Sequence, residues 1–118
     1  MEMLVVIRAW NPEGLARFYS ALGLKFDRER HGKGPEHHAC RIGRSVFEIY
    51  PRTSDADNTS ATRLGFGVPD VEAACERAVA LDGRLIRAAA VSPWGRRAVL
   101  SDPEGHTVEL VEAAGARA

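Results

Sequence analysis

The fold of this chain is decided by the stretch Trp94-Gly95-Arg96-Arg97-Ala98-Val99-Leu100-Ser101-Asp102-Pro103-Glu104-Gly105-His106-Thr107-Val108-Glu109-Leu110. Two short runs flank a tight turn, in which Pro103 presets φ at the first central position and Gly105 tolerates a positive φ. The pattern therefore predicts a β-hairpin near the end of the chain.

The hairpin places a carboxylate, Glu109, between two apolar residues of its second strand. Because successive side chains of a strand point to opposite faces, Glu109 lies on the face opposite its neighbours, which is either solvent or a polar cavity. The register is predicted by pairing Ser101 with His106. Ala98 then lies opposite Glu109, and Arg96 opposite Val111.

Length and composition limit the function. A chain of 118 residues, 45% hydrophobic, is long enough for one domain or for two small modules that share a core. Lys+Arg and Asp+Glu both number 16, so no net charge favours nucleic acid or an anionic membrane as a partner. The expected partner is a small molecule.

The expected location is the cytoplasm. No secretory signal pattern and no apolar run of about 20 residues occurs. Cys40 and Cys75 lie far apart without a C-x-x-C spacing, so both are predicted to be buried, reduced thiols.

The first half of the chain predicts a strand over 3–9 and a helix that begins at Asn11-Pro12-Glu13 and ends at Gly23. A strand over 24–30 follows. Residues 37–42 and 45–51 then form a hairpin around Gly43-Arg44. In this hairpin, Ala39 is predicted to lie opposite Glu48.

The second half repeats this order after a polar stretch. Strand 63–68 precedes a helix that starts at Asp70 and ends at Gly83, and strands follow over 84–91, 97–101 and 107–111. The prediction is an α+β fold of two βαβββ modules, 1–53 and 62–113, joined by a linker over 54–61. The modules form a curved mixed-sheet cup with the helices outside, in a single domain over 1–118.

This order resembles the vicinal oxygen chelate superfamily, which includes glyoxalase I, extradiol dioxygenases and the bleomycin- and fosfomycin-resistance proteins. The resemblance rests on four motifs over nearly the whole chain, at residues 18–24, 46–50, 66–71 and 102–110. The pair Trp94-Gly95, followed by the Asp-Pro-Glu-Gly turn, is most similar to the bleomycin-resistance branch. Membership of that branch implies a homodimer.

The resemblance also implies where a metal would bind. The metal enzymes of the superfamily take ligands from four strand positions, which correspond here to Leu4, Glu48, Arg63 and Glu109. Leucine has no donor atom, and arginine stays protonated. Two carboxylates alone are a poor site for Zn, Ni or Fe, so no metal or other cofactor is expected.

Strand alternation predicts which residues face the cup. The polar face carries basic, acidic and aromatic side chains, namely Arg8, His37, Arg41, Glu48, Tyr50, Arg63, Arg96 and Glu109. Our hypothesis is that Arg63 lies between Glu48 and Glu109 and that its guanidinium replaces the metal. Its removal would then cost several kcal/mol, because two buried carboxylates would lose their partner.

The predicted ligand-binding residues are His37, Glu48, Tyr50, Arg63, Trp94, Arg96 and Glu109. Glu48 and Glu109 are each interpreted as a residual metal ligand, a contact to an organic ligand or a solvated strand residue. His37 is interpreted as a hydrogen-bonded strand histidine, a general base or a replacement metal ligand. Trp94 is expected either to line the ligand cleft or to form a packing or dimer contact. No catalytic residue is assigned, because no Ser-His-Asp or Cys-His set is predicted to meet. His106 is expected to be exposed, and no functional role is predicted for His31.

The sequence favours a metal-independent small-molecule binding protein with a planar, neutral or anionic ligand. The alternative is a metal-dependent lyase, isomerase or dioxygenase with a rearranged site, in which Glu48, Glu109 and His37 hold a divalent metal. A third interpretation is an interaction module without a small ligand, which a filled cavity would support.

Overall fold

The computed structural model describes residues 1–113, and its first module is a four-stranded mixed sheet covered by a helix. The elements are β1 (Leu4–Ala9), α1 (Pro12–Ala21), β2 (Asp27–Glu29), β3 (His37–Ile42) and β4 (Ser45–Pro51). The strand order is β1-β4-β3-β2. β1 pairs parallel to β4, while the other pairs are antiparallel.

The second module repeats this arrangement. Its elements are β5 (Arg63–Gly67), α2 (Val71–Ala80), β6 (Arg84–Ser92), β7 (Gly95–Ser101) and β8 (Thr107–Glu112), in the sheet order β5-β8-β7-β6. A short 3₁₀ helix, Asp55–Asp57, lies in the segment predicted as a linker. The α+β class and the two βαβββ modules are confirmed.

Each helix begins at the predicted capping residue, and the start of each helix also receives a hydrogen-bond acceptor from an acidic residue of the second module. The Asn11 side chain accepts a hydrogen bond from the Gly14 N–H, and that of Asp70 accepts one from Ala73. Glu104 accepts from the N–H groups of Trp10 and Asn11, at 2.8 and 3.0 Å. Glu112 accepts from the Val71 N–H at 2.9 Å.

The hydrophobic core is shared by the two modules. Tyr19 on α1 is fully buried, and its ring centroid lies 5.3 Å from that of Phe47 and 5.7 Å from that of Phe66. Phe47 belongs to the first sheet and Phe66 to the second. Burial of these rings is therefore a hydrophobic contribution that neither module can obtain alone.

A buried polar network also joins the modules. The Tyr19 hydroxyl donates to Asp102 Oδ2 at 2.6 Å, and His106 Nδ1 lies 2.9 Å from the same oxygen. Burial and the neighbouring carboxylate raise the pKa of Tyr19, so its hydroxyl remains a donor. His106 Nε2 lies 2.7 Å from the Thr59 hydroxyl, which accepts from the Arg8 N–H at 2.9 Å. His106 is 1% exposed, so the expectation that it is exposed was wrong.

The register of the first hairpin is confirmed, but that of the β7–β8 hairpin was predicted one residue away. Ser101 pairs with Thr107, and Arg96 pairs with Glu112. The cause is a five-residue connection, closed by a bond of 2.9 Å from the Asp102 N–H to the His106 carbonyl. A shift of one residue reverses the faces of β7, so Arg97 rather than Arg96 shares the face of Glu109.

Two further observations concern the cysteines and the helices. Cys40 and Cys75 are buried free thiols, and burial raises the pKa of both, as expected for inert structural cysteines. Among residues 1–113, no helix is both long enough and apolar enough to cross a membrane.

We predict that Tyr19→Phe lowers the free energy of unfolding by about 1.5–3 kcal/mol, the usual contribution of a hydrogen bond to a charged group. The measurement is urea unfolding of both proteins. Tyr50→Phe is the matched control, since no hydrogen bond is observed for that hydroxyl within residues 1–113, and we expect a change below about 0.5 kcal/mol. Equal effects of the two substitutions would contradict a stabilising role for the Tyr19–Asp102 bond.

Candidate functional site

The predicted site residues occupy three separate places. His37, Glu48 and Tyr50 lie together on the first sheet. Arg63 and Glu109 lie on the second sheet, where Trp94 and Glu109 line one cavity. Arg96 lies on the other face of β7, where its guanidinium contacts Glu72 of α2. The placement of Arg96 on the cup face was therefore wrong.

Two guanidinium groups converge on Glu109. Arg63 Nε donates to Glu109 Oε1 at 3.0 Å, and Arg97 Nη2 binds the same oxygen. Parallel pairing of Gly65 with Glu109 brings Arg63, two residues earlier on β5, onto this face. Arg97 arrives on the same face through the observed register of β7. The sequence analysis missed Arg97 because its register was wrong by one residue.

A cavity of ≈ 270 Å³ opens beside this ion-pair cluster, lined by Trp94, Arg97, Glu109 and Val111, and we call it the Glu109 cleft. Trp94 is 72% exposed, so its ring is available to a ligand. Its turn is held by the Ser92 hydroxyl, which donates to the Gly95 carbonyl at 2.6 Å. Gly95 has φ +124°, and a Cβ there would lie 2.4 Å from the Glu112 carbonyl oxygen, so this turn requires glycine.

The electrostatics of the cleft oppose base catalysis by Glu109. Hydrogen bonds from Arg97 and Arg63 lower the pKa of its carboxyl group. A carboxylate with a lowered pKa is a weak base at neutral pH, whereas a general base needs a pKa near the working pH. The cluster of two guanidinium groups and one carboxylate instead leaves an excess positive charge.

The predicted bridge between Glu48 and Glu109 is absent. Within residues 1–113, Arg63 forms an ion pair with Glu109 and none with Glu48, and its side chain is 53% exposed. Glu48 is beside His37 instead. Removal of Arg63 would leave Arg97 on Glu109, so the predicted loss of several kcal/mol no longer follows.

The four strand positions that bind metal in related enzymes do not fit a metal here. Leu4 offers no donor, and the Arg63 guanidinium binds Glu109. The rearranged set proposed from the sequence, Glu48, Glu109 and His37, does not form one group: within residues 1–113, the clusters with metal-ligand spacing include Glu48 and His37 but not Glu109.

On the first sheet, His37 is 1% exposed and stacks on Tyr50, with centroids 4.1 Å apart. Its Nε2 lies 3.4 Å from Glu48 Oε2 and 3.6 Å from Glu29 Oε1. His31 Nε2 reaches Glu29 at 3.3 Å. The sequence analysis missed Glu29 and His31, although pairing of β2 with β3 would have placed Glu29 beside His37.

A hydroxyl–histidine–carboxylate chain that begins at a threonine, which the sequence did not predict, runs from Thr59 through His106 to Asp102. Its geometry matches the order of a nucleophile, base and orienting acid. However, His106 and Asp102 are buried, and the Thr59 hydroxyl is occupied by the backbone of Arg8. None of the three lines the Glu109 cleft, so we assign the chain a structural role.

An apolar groove of ≈ 250 Å³ lies where the sheets meet. Its lining is uncharged and includes Val5, Val46, Phe47, Leu64 and Phe66. The groove offers mainly apolar surface, and the one polar side chain in its lining, Ser45, already accepts a hydrogen bond from the Met3 N–H at 3.0 Å.

The paired βαβββ modules define the class: this is a protein of the vicinal oxygen chelate superfamily. The model of the Glyoxalase-like domain family matches residues 4–111, so the chain belongs to that family. No curated protein sequence matches the chain.

Several solved structures share the fold. An antibiotic binding protein from a Streptomyces species, TnmS3, is 20% identical with a TM-score of 0.73, over 93% of each chain. A glyoxalase-related enzyme from Fulvimarina pelagi is 24% identical with a TM-score of 0.73, over 95% of this chain and 87% of that one. A glyoxalase/bleomycin resistance protein/dioxygenase family enzyme from Burkholderia phytofirmans is 20% identical with a TM-score of 0.70, over 93% and 96%.

We predict that Glu109 contributes to stability at neutral pH but not in acid. Since folding lowers its pKa, its contribution is present above the unfolded value of about 4.3 and is lost as pH falls through the lower folded value. Glu109→Gln should cost on the order of 0.5–1 kcal/mol at pH 7, as for other partly exposed ion pairs.

The measurement is urea unfolding of wild type and variant between pH 7 and pH 3, with Glu76→Gln on the exposed face of α2 as the control. A difference between wild type and Glu109→Gln that stays constant over this range would contradict the ion-pair assignment.

Proposed function

We propose that this protein binds small molecules without a metal, in the Glu109 cleft, and that the ligand is planar and neutral or anionic. The observation that carries the proposal is the convergence of Arg63 and Arg97 on Glu109 beside an exposed Trp94. An open tryptophan ring offers a stacking surface, and the guanidinium groups orient the polar end of the ligand.

The positive charge of the cleft determines which ligand charges are favoured. Both guanidinium groups bind the same oxygen of Glu109, and their remaining N–H groups can donate to a carboxylate, sulfonate, phenolate or quinone oxygen. A cationic ligand would have to approach Arg97 in the lining of the cleft and Arg63 on the same carboxylate, and this repulsion disfavours its binding.

One of the solved structures with this fold supports ligand binding as the first proposal. The antibiotic binding protein from Streptomyces shares the fold at low identity, and we extend binding of this kind of ligand to the present chain as a hypothesis. Sequestration of a toxic aromatic compound would then confer resistance. The alternative, a metal-dependent lyase, isomerase or dioxygenase, needs donors other than the four strand positions.

We also propose that the protein is a cytoplasmic homodimer. Large apolar side chains are exposed on two edge strands, including Leu4 (62%) on β1 and Ile86 (55%) and Val91 (86%) on β6. A second copy would cover such surface at a hydrophobic gain of about 25 cal/mol per Å². Neither nucleic acid nor a membrane surface is proposed as a partner, because the net charge is zero.

Adjacent arginines on opposite faces of β7 test the binding proposal. We predict that Arg97→Ala weakens binding of a planar aromatic carboxylate by about 10–100-fold, the loss of one charge-assisted hydrogen bond. Arg96→Ala is the matched control and should change affinity less than twofold, since Arg96 contacts Glu72 instead of the cleft. Affinity is measured by calorimetry in EDTA.

The ligand panel pairs each aromatic carboxylate with the amine of the same ring system. Preferential binding of amines, equal losses in the two arginine variants, or loss of all binding in EDTA would each contradict the proposal.

We predict a dimer by size-exclusion chromatography with light scattering, and dissociation when Val91 and Ile86 are both replaced by Asp, because the burial of two carboxylates is unfavourable. A monomeric wild type at 100 μM, on the order of the concentration at which weak homodimers still associate, would contradict the dimer.

A further inference from the structure

We propose that the first sheet carries a binding site for a divalent transition metal, of the zinc type, formed by Glu29, His31, His37 and Glu48. One ligand atom from each residue lies within 4.8 Å of all the others. This metal site is separate from the Glu109 cleft and does not depend on the function proposed for that cleft.

The key observation is the state of His37. Its Nδ1 lies 3.2 Å from the Pro35 carbonyl oxygen. A carbonyl can only accept, so Nδ1 carries the hydrogen and Nε2 of the neutral ring presents a lone pair. This Nε2 is buried and has no hydrogen-bond partner. An unpartnered buried nitrogen is rare and unfavourable.

The groups closest to this nitrogen are also hydrogen-bond acceptors. The closest carboxylate oxygens belong to Glu48, at 3.4 Å, and Glu29, at 3.6 Å. Ionised carboxylates are also acceptors only. Three acceptors facing one point are reconciled by a cation at that point, either a proton on Nε2 or a metal ion.

The geometry favours a metal. Four ligands at 2.0–2.1 Å around a tetrahedral zinc lie roughly 3.3 Å from one another. The separations along the chain of donors are 3.3 Å from His31 to Glu29, 3.6 Å from Glu29 to His37 and 3.4 Å from His37 to Glu48. The two nitrogens and two oxygens form a donor set suited to zinc and its neighbours in the first transition row.

The surroundings of His37 match those of a metal ligand. A ligating histidine usually donates its other ring N–H to a carbonyl or carboxylate, which orients the ring, and Pro35 supplies that carbonyl. The stacked ring of Tyr50 restricts rotation further. His31 is 71% exposed at its side chain, so the site is reached from solvent on its side.

The site differs from the one that the superfamily positions would form. Only Glu48 is common to both sets. The other three ligands come from β2, β3 and the loop between them, so one module supplies the whole site. A metal here requires no donor from the second sheet.

The test is calorimetric titration of untagged, EDTA-treated and desalted protein with zinc chloride at neutral pH. We expect one equivalent to bind. His31→Ala and Glu29→Gln, both at accessible positions, should each weaken binding more than tenfold. His37→Gln should weaken it more than about 100-fold, beyond the 10–100-fold of outer-shell substitutions. His38→Gln is the matched control for His37 and should leave affinity unchanged.

Two outcomes of the titration would contradict the proposed zinc site. Absence of saturable zinc binding would overturn the proposal, and a proton would then occupy the space beside His37 Nε2. Binding that survives His31→Ala and Glu29→Gln but is lost in Glu109→Gln would overturn it too, since the metal would then be on the second sheet. Because aromatic ligands are titrated in EDTA, failure of the zinc site and failure of the Glu109 cleft give different results.

Discussion

The architecture depends on the buried carboxylate of Asp102. Its two oxygens accept from the Tyr19 hydroxyl, from the backbone of Glu104 and His106, and from the His106 ring. Tyr19 belongs to the first module and the other donors to the second. The second module supplies most of these donors by itself, but the Tyr19 hydroxyl reaches the carboxylate only when both modules are in place, so this bond makes the association of the modules specific as well as favourable.

The same carboxylate sets the register of the neighbouring hairpin. By accepting from the backbone at positions 104 and 106, it shapes the connection into five residues. Sequence reasoning recognised the turn from Pro103 and Gly105 but not this extra residue, because a side-chain acceptor in a turn leaves no periodic signal. The faces of β7 were therefore reversed, and Arg97 was missed while Arg96 was predicted.

Most of the fold could be predicted because its signals are local: helix caps, apolar periodicity and turn residues repeat in the same order in both halves. The site could be predicted only where strand pairing is direct, as for Ala39 and Glu48. Contacts that depend on a loop could not. His31 follows directly on the strand predicted over 24–30 and lies two residues after Glu29, but alternation was applied only within the strand, so the two side chains were not placed on one face. His106 was expected to be an exposed strand start because its contact with Asp102 depends on the turn conformation and its other partner, Thr59, lies 47 residues away in the chain.

The distribution of charge explains why the two sheets have different chemistry. In the second sheet, Arg63 stands at a position where the resemblance to the superfamily implies a metal ligand, and its guanidinium pairs with the Glu109 carboxylate. In the first sheet, no arginine is found in an ion pair with Glu48 among residues 1–113, and the nearest group is a histidine with its lone pair toward the acid. A carboxylate with a guanidinium partner has no need for a cation, whereas one that faces another acceptor does. The modules have the same topology, and under the two proposals the residue beside each glutamate determines its role: Glu109, held by arginine, would orient an organic ligand, and Glu48, beside His37, would bind a metal.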